Sequence, residues 1–202
     1  MTATEHDLTP AAPATAAAPT TAAPTSTTGQ SGEPELRMAT LPTPVGTLTV
    51  VVDPIGVVRA SWFGSSEAFL ARVGRARTVP AEELGAVADA VARYVAGDVR
   101  ALDDVPVHQA GGEFRQAAWA AMRRVPAGTT VSYTELAEMT GRPRAVRASA
   151  SACATNQVAP FVPCHRIVRS DGTMGGYAYG LAVKQALLDH ERTSQPGLTR
   201  RA

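Results

Sequence analysis

Val131-Ser132-Tyr133-Thr134-Glu135-Leu136-Ala137-Glu138-Met139-Thr140-Gly141-Arg142-Pro143-Arg144-Ala145-Val146-Arg147 is the stretch on which the reading of this chain turns. Ser132 suits a helix N-cap, and Glu135, three positions on, completes a capping box. Thr140-Gly141-Arg142-Pro143 is a turn, and a second helix is expected from about Arg144 to Ala154. Two short helices joined by a glycine-containing turn resemble a helix-turn-helix. Alone that signal is weak, since most such pairs only pack. Here Arg144 and Arg147 fall on the leading turns of the second helix, where a nucleic-acid reader carries its cations.

Upstream, Phe114 to Arg124 reads as an amphipathic helix with Phe114, Ala118, Ala121 and Met122 inward, stopped by Val125-Pro126-Ala127-Gly128. Earlier still, residues 45–52 and 57–63 are rich in β-branched and aromatic residues. They flank the turn Asp53-Pro54-Ile55-Gly56, which predicts a hairpin. Ser66 suits the cap of a short helix to Val73. A longer helix is expected from about Ala81 to Ala96, with Leu84, Val87, Val91 and Tyr94 on one face and Gly97-Asp98 ending it. Residues 34–108 thus read as a small α/β scaffold domain and 109–193 as a second domain. Residues 1–33 hold 22 Ala, Thr or Pro and a single Leu, so they are expected to be a disordered tail, with 194–202 a flexible C-terminus.

Charge is split along the chain. Residues 1–108 carry 7 basic and 12 acidic side chains, whereas residues 109–202 carry 12 and 6. A basic second half suits a phosphate backbone, although an arginine-rich solvated surface would read the same. The start of the chain lacks the basic and apolar blocks of a secretory signal, and no run is long enough to cross a membrane, so a soluble cytoplasmic protein is expected. Two cysteines, Cys153 and Cys164, cannot make a disulfide framework. No Cys or His pair has zinc-finger spacing, and no metal or other cofactor is expected.

Cys164 lies in Val162-Pro163-Cys164-His165-Arg166-Ile167-Val168. This run resembles the active-site signature of the O6-alkylguanine-DNA alkyltransferases. The likeness extends from about Phe114 to Glu191. It includes Val131-Ser132-Tyr133, Arg142-Pro143, Ala145-Val146-Arg147-Ala148, Asn156, Gly175-Gly176-Tyr177, and Gly180-Leu181 with Lys184 and Leu187-Leu188 before His190-Glu191.

The resemblance implies an α/β N-terminal domain, a small antiparallel sheet plus helices. A mostly α C-terminal domain of winged helix-turn-helix type follows it. It also implies repair of DNA by direct reversal, in which the alkyl group moves from guanine O6 to Cys164 once per molecule. A thiolate is the soft nucleophile this displacement needs, and a free thiol must be activated to supply it.

By resemblance, His165 is the base through a bound water, Glu191 orients His165, Asn156 braces the cysteine turn and Tyr133 serves the base edge. Arg147 fills the gap left by the extruded nucleotide. Ala148 and Ser151 are among the small residues that let the helix approach the minor groove, and Arg144 and Tyr133 join them at the DNA. Pro163, Ile167, Tyr177, Ala178 and Tyr179 are expected to form the substrate pocket.

The implied partner is double-stranded DNA containing O6-alkylguanine, met by a monomer, and O4-alkylthymine is a second candidate substrate. The chain departs from the pattern at Gln157, where relatives often have Pro and where the loop is expected to loosen, and at Tyr179, where some have Gly. A thiol hydrolase built on Cys164 and His165 is the competing reading, and a non-catalytic binder of alkylated DNA or a sequence-specific transcription factor the others. The hydrolase lacks an evident oxyanion hole, the non-catalytic relatives lack the cysteine, and a transcription factor would footprint one sequence regardless of alkylation.

Overall fold

The computed structural model describes residues 35–64 and 76–194. The expected tail, the helix from Ser66 to Val73 and all but the first residue of the expected C-terminus lie outside them.

The hairpin forms from β2 (Gly46–Val52) and β3 (Val58–Phe63), paired antiparallel with a bulge at Val51/Val52. β-Branched residues make β2 a good central strand. Leu48, Val50 and Val52 enter the main core, while Val51 packs with Ala60 and Trp62 in a smaller cluster, the period-2 alternation of a strand buried on both faces.

Two strands of this sheet escaped the sequence reading. β1 (Leu36–Thr43) pairs antiparallel with β2, from Arg37 opposite Val52 to Thr43 opposite Gly46. Its mixed composition and Pro42 give little strand signal. β4 (Ala76–Thr78) pairs parallel with β1, giving the order β3-β2-β1-β4. The sheet is therefore small and mostly antiparallel.

The helix expected over 81–96 is two elements. A single 3₁₀ turn, Ala81–Leu84, precedes α1 (Ala86–Val95). Gly85 separates them at φ 55°, which glycine adopts at no steric cost and which no helix can run through. α1 buries Val87, Ala90, Val91 and Tyr94.

The second half is mostly helical. α2 (Glu113–Arg123) buries Ala118, Ala121 and Met122 as expected, with Phe114 half-buried against the core. It also buries Trp119, whose indole N–H donates to Ala152 O at 2.9 Å. α3 (Tyr133–Met139) starts on the expected capping box: Glu135 N–H donates to Ser132 Oγ (3.1 Å) and Ser132 N–H to Glu135 Oε2 (2.6 Å). α4 (Val146–Ala154) completes the helix-turn-helix and starts two residues later than expected, so Arg144 lies on the turn. α5 (Leu181–Thr193) buries Lys184, Leu187, Leu188 and Glu191, one stripe at helical spacing. Between α4 and α5 lie a 3₁₀ turn, Cys164–Arg166, and β6 (Ile167–Val168), which runs parallel to β5 (Val131–Ser132).

Edge strand β3 meets the segment that leads to Cys164. Ser61 N–H donates to Gln157 O and Ser61 Oγ to Ala159 O, both at 2.8 Å. The core cluster accordingly runs from β1 to α5 without a break between the halves. Among the described residues no helix is long and apolar enough to cross a membrane.

Candidate active site

Cys164 opens the 3₁₀ turn after Pro163 and is 7% exposed. It lines a cavity of about 440 Å³ together with Tyr133, Asn156, Tyr177, Ala178 and Tyr179. That volume falls in the range of small-molecule sites. Asn156 Nδ2 donates to Cys164 Sγ at 3.1 Å and to Val162 O at 2.8 Å. Burial pushes the Cys164 thiol up, partly offset by the Asn156 hydrogen bond and the Lys184 charge, so the resting sulfur keeps its proton.

His165, next in the turn, is fully buried. Its Nε2 lies 2.9 Å from Glu191 Oε1. Glu191, also fully buried, collects donors on both oxygens. Arg166 Nη2 (2.8 Å) and Tyr94 Oη (3.2 Å) reach Oε1, Arg166 Nε reaches Oε2 (3.1 Å), and Gly128 N–H reaches Oε2 at 2.9 Å. Burial alone would raise the Glu191 carboxyl, but the His165 and Arg166 contacts outweigh it and hold it well below the usual range.

An ionised carboxylate only accepts hydrogen bonds, so His165 Nε2 must carry the proton. Burial lowers the His165 pKa against the pull of Glu191, which keeps the ring neutral. Nδ1 then holds the lone pair. It is buried and hydrogen-bonds to no protein atom.

Residues 113–193 match the family model "6-O-methylguanine DNA methyltransferase, DNA binding domain". The methylated-DNA–protein-cysteine methyltransferase of Shigella flexneri is 35% identical over 156 residues, which cover 74% of this chain and 91% of that protein. The chain belongs to this methyltransferase family. The bifunctional transcriptional activator/DNA repair enzyme Ada of Escherichia coli is 48% identical over 91 residues, 45% of this chain and 26% of its own length, so the match spans about a quarter of that protein. The solved structure of Mycobacterium tuberculosis OGT in complex with DNA has TM-score 0.68 and 29% identity, covering 80% of this chain and 96% of that one.

Against the expectations for a methyltransferase of this family, the fold brings Cys164, Asn156, Tyr133, Tyr177, Ala178 and Tyr179 to one cavity, with His165 and Glu191 hydrogen-bonded to each other. Pro163 and Ile167 are buried but are not among the residues lining that cavity. Ile167 instead pairs with Val131 and offers its carbonyl to Lys184 Nζ at 2.5 Å. Lys184 is itself fully buried and also donates to Met174 O, pinning the loop between Cys164 and the cavity wall.

Arg144, Arg147, Ala148 and Ser151 are exposed on the turn and on α4. Cys153 also lines the cavity, and burial pushes its thiol up. Tyr179 Oη donates to Ser61 O (3.2 Å), and its ring meets Phe63 and Tyr177 edge-on. Gln157 does not hang loose: its N–H donates to Gln109 Oε1 at 2.8 Å.

Sequence reasoning missed Arg166, Tyr94, Gly128 and Gln109. Arg166 was in view beside His165 and, as a cation in an otherwise apolar run, implied a buried acid partner. From sequence, Gly128 reads only as part of a helix-breaking run. Its φ of 74° aims the N–H at Glu191, and an added Cβ would meet Glu191 O at 3.3 Å. From sequence, Tyr94 reads as a core residue, and its hydroxyl carries no local signal.

Proposed function

We propose that this protein repairs DNA by direct reversal, moving the alkyl group from O6 of guanine to Sγ of its own Cys164 in a single turnover. The observation that carries the reading is the order Cys164, His165, Glu191: a thiol in a cavity, followed by a neutral imidazole whose free Nδ1 is set by a buried carboxylate. A water bridging Nδ1 and the thiol takes the Sγ proton to His165. The sulfur then attacks the alkyl carbon, forming S–C as C–O6 breaks. The guanine takes up the proton that His165 drew from the sulfur, and a hydrogen bond donated at its edge eases its charge as it leaves. Tyr133 suits that role: burial raises its pKa, so the phenol stays a donor. The thioether product has no ordinary route back to thiol, so one molecule repairs one base.

Residues 109–193 act as the DNA-binding and acceptor domain and 34–108 as its scaffold. The substrate base must leave the duplex to reach a cavity of this kind, at a cost of a few kcal/mol. Arg147 fills the gap, Ala148 and Ser151 allow close approach, and Arg144 contacts the backbone. The partner is double-stranded DNA bearing O6-alkylguanine, met by a monomer. A thiol that must stay reduced suits the cytoplasm.

Incubation with O6-methylguanine duplex and peptide mass analysis tests the reading. One methyl on Cys164, absent in Cys164→Ala with DNA binding retained, is expected. Continued turnover, or transfer by Cys164→Ala, would overturn it and favour a hydrolase.

A further inference from the structure

Gln109 precedes α2 and is buried, 6% exposed. Its carboxamide works in two directions. Nε2 donates to Asn156 Oδ1 at 3.0 Å and Oε1 accepts from Gln157 N–H at 2.8 Å. Its carbonyl accepts from Gln116 Nε2 at 2.7 Å, which anchors it to α2. Exchanging amide O and N would set acceptor against acceptor and donor against donor, so Gln109 has one orientation.

The same logic passes to Asn156. Its Oδ1 takes Gln109 Nε2 and Val158 N–H (3.2 Å), which leaves Nδ2 for Val162 O and Cys164 Sγ. We propose that Gln109 is a positioning residue for the acceptor thiol, fixing the Asn156 amide so that its N–H points at Cys164 Sγ and stabilises the anion as it forms.

The second arm answers a feature of this chain. A proline at 157 would bring no N–H, but Gln157 brings one into a segment packed on β3, where an unpaired donor is costly. Gln109 Oε1 satisfies it. One side chain thus orients the thiol's donor and holds the loop that bears it.

The inference rests on Cys164 as alkyl acceptor, and two readouts separate the claims. The first is the rate of methyl transfer from O6-methylguanine duplex to the full chain. The second, independent of DNA, is the pH midpoint for alkylation of Cys164 by iodoacetamide, read by peptide mass. The other titratable groups around the sulfur are His165, Lys184 of α5, Cys153 of α4 and the phenols of Tyr133, Tyr177 and Tyr179, and every variant keeps them.

Gln109→Met should slow transfer about 10-fold, the scale of one hydrogen bond to a charged group, and move the midpoint to higher pH. Gln157→Pro alone should leave both near wild type. In the double variant it removes the orphaned N–H, so melting temperature recovers while rate and midpoint stay shifted. That double variant also carries the test if Gln109→Met alone does not fold. A wild-type midpoint in either folded Gln109→Met chain, or recovery of the rate with the melting temperature, would overturn the proposal. Failure of wild type to take methyl from DNA would sink the acceptor assignment instead, while the iodoacetamide midpoint still decides Gln109.

Discussion

The hydroxyl of Tyr94, on α1, meets the carboxylate of Glu191, on α5, at 3.2 Å in the protein core. The neighbouring His190 donates to Tyr94 O at 2.7 Å, and its ring meets the tyrosine edge-on at 5.0 Å. The N-terminal half therefore grips the helix that carries the acid of the site, rather than merely standing beside it. Tyr94→Phe keeps the packing and removes one donor. Stability should fall by about 1.5–3 kcal/mol, the scale for a hydrogen bond to a charged group, and transfer should slow. Urea unfolding and single-turnover kinetics measure both, and an unchanged unfolding midpoint would show that the hydroxyl contributes nothing.

Arg166 spans Glu191 and Val125 O, the latter at 2.7 Å. Arg166→Met would leave a buried carboxylate short of its strongest partner. A loss of about 3–5 kcal/mol is expected, as when one member of a buried ion pair is removed. Replacing both partners, Arg166→Met with Glu191→Leu, should recover much of that stability and none of the transfer. If the double variant unfolds as easily as the single one, the unpaired charge is not the cause.

Stability should fall away on both sides of neutral pH. His165 and Glu191 both have lowered pKa values, so in acid the unfolded chain binds more protons than the native one. Their contribution is present at neutral pH, erodes below about 6.5 as the unfolded histidine protonates, and erodes further below about 4.3 for the carboxylate. Cys164 has the opposite sign. Its raised pKa makes the unfolded chain lose its proton first above about 8.5, so stability declines there. Melting temperature against pH reads this, and Glu191→Gln should flatten the part of the acid limb below about 4.3. An acid limb equally steep in that variant would assign it to other groups.

Tyr179 lines the cavity that Cys164 opens into. Tyr179→Gly should speed inactivation by O6-benzylguanine by about 10-fold or more, the range that pocket size commands, with little change for methyl. Equal sensitivity before and after would remove Tyr179 from the account of substrate size.

Arg147 is exposed on the leading turn of α4, away from the cavity lining. Arg147→Ala should slow transfer from duplex by roughly 10-fold or more, since extrusion costs a few kcal/mol, and leave reaction with the free modified base unchanged. An equal loss on both substrates would exclude support of extrusion.

The capping box at Ser132 and Glu135, the β2–β3 hairpin and the inner face of α2 were legible because each is written in residues a few positions apart. The run Pro163-Cys164-His165 offered a candidate nucleophile and its neighbour for the same reason. What local sequence left unwritten was who pairs with whom across the core. β1 exists because β2 offers it a partner, not because of its own propensity. Glu191 is an ionised acid because Arg166, His165, Tyr94 and Gly128 converge on it from three places in the chain. Gln109 gains meaning only when folding sets it against Asn156 and Gln157. Sequence thus determined the chemistry on offer. Tertiary structure decided its protonation and aim, because hydrogen-bond partners and burial are set by atoms distant in the chain and close in space.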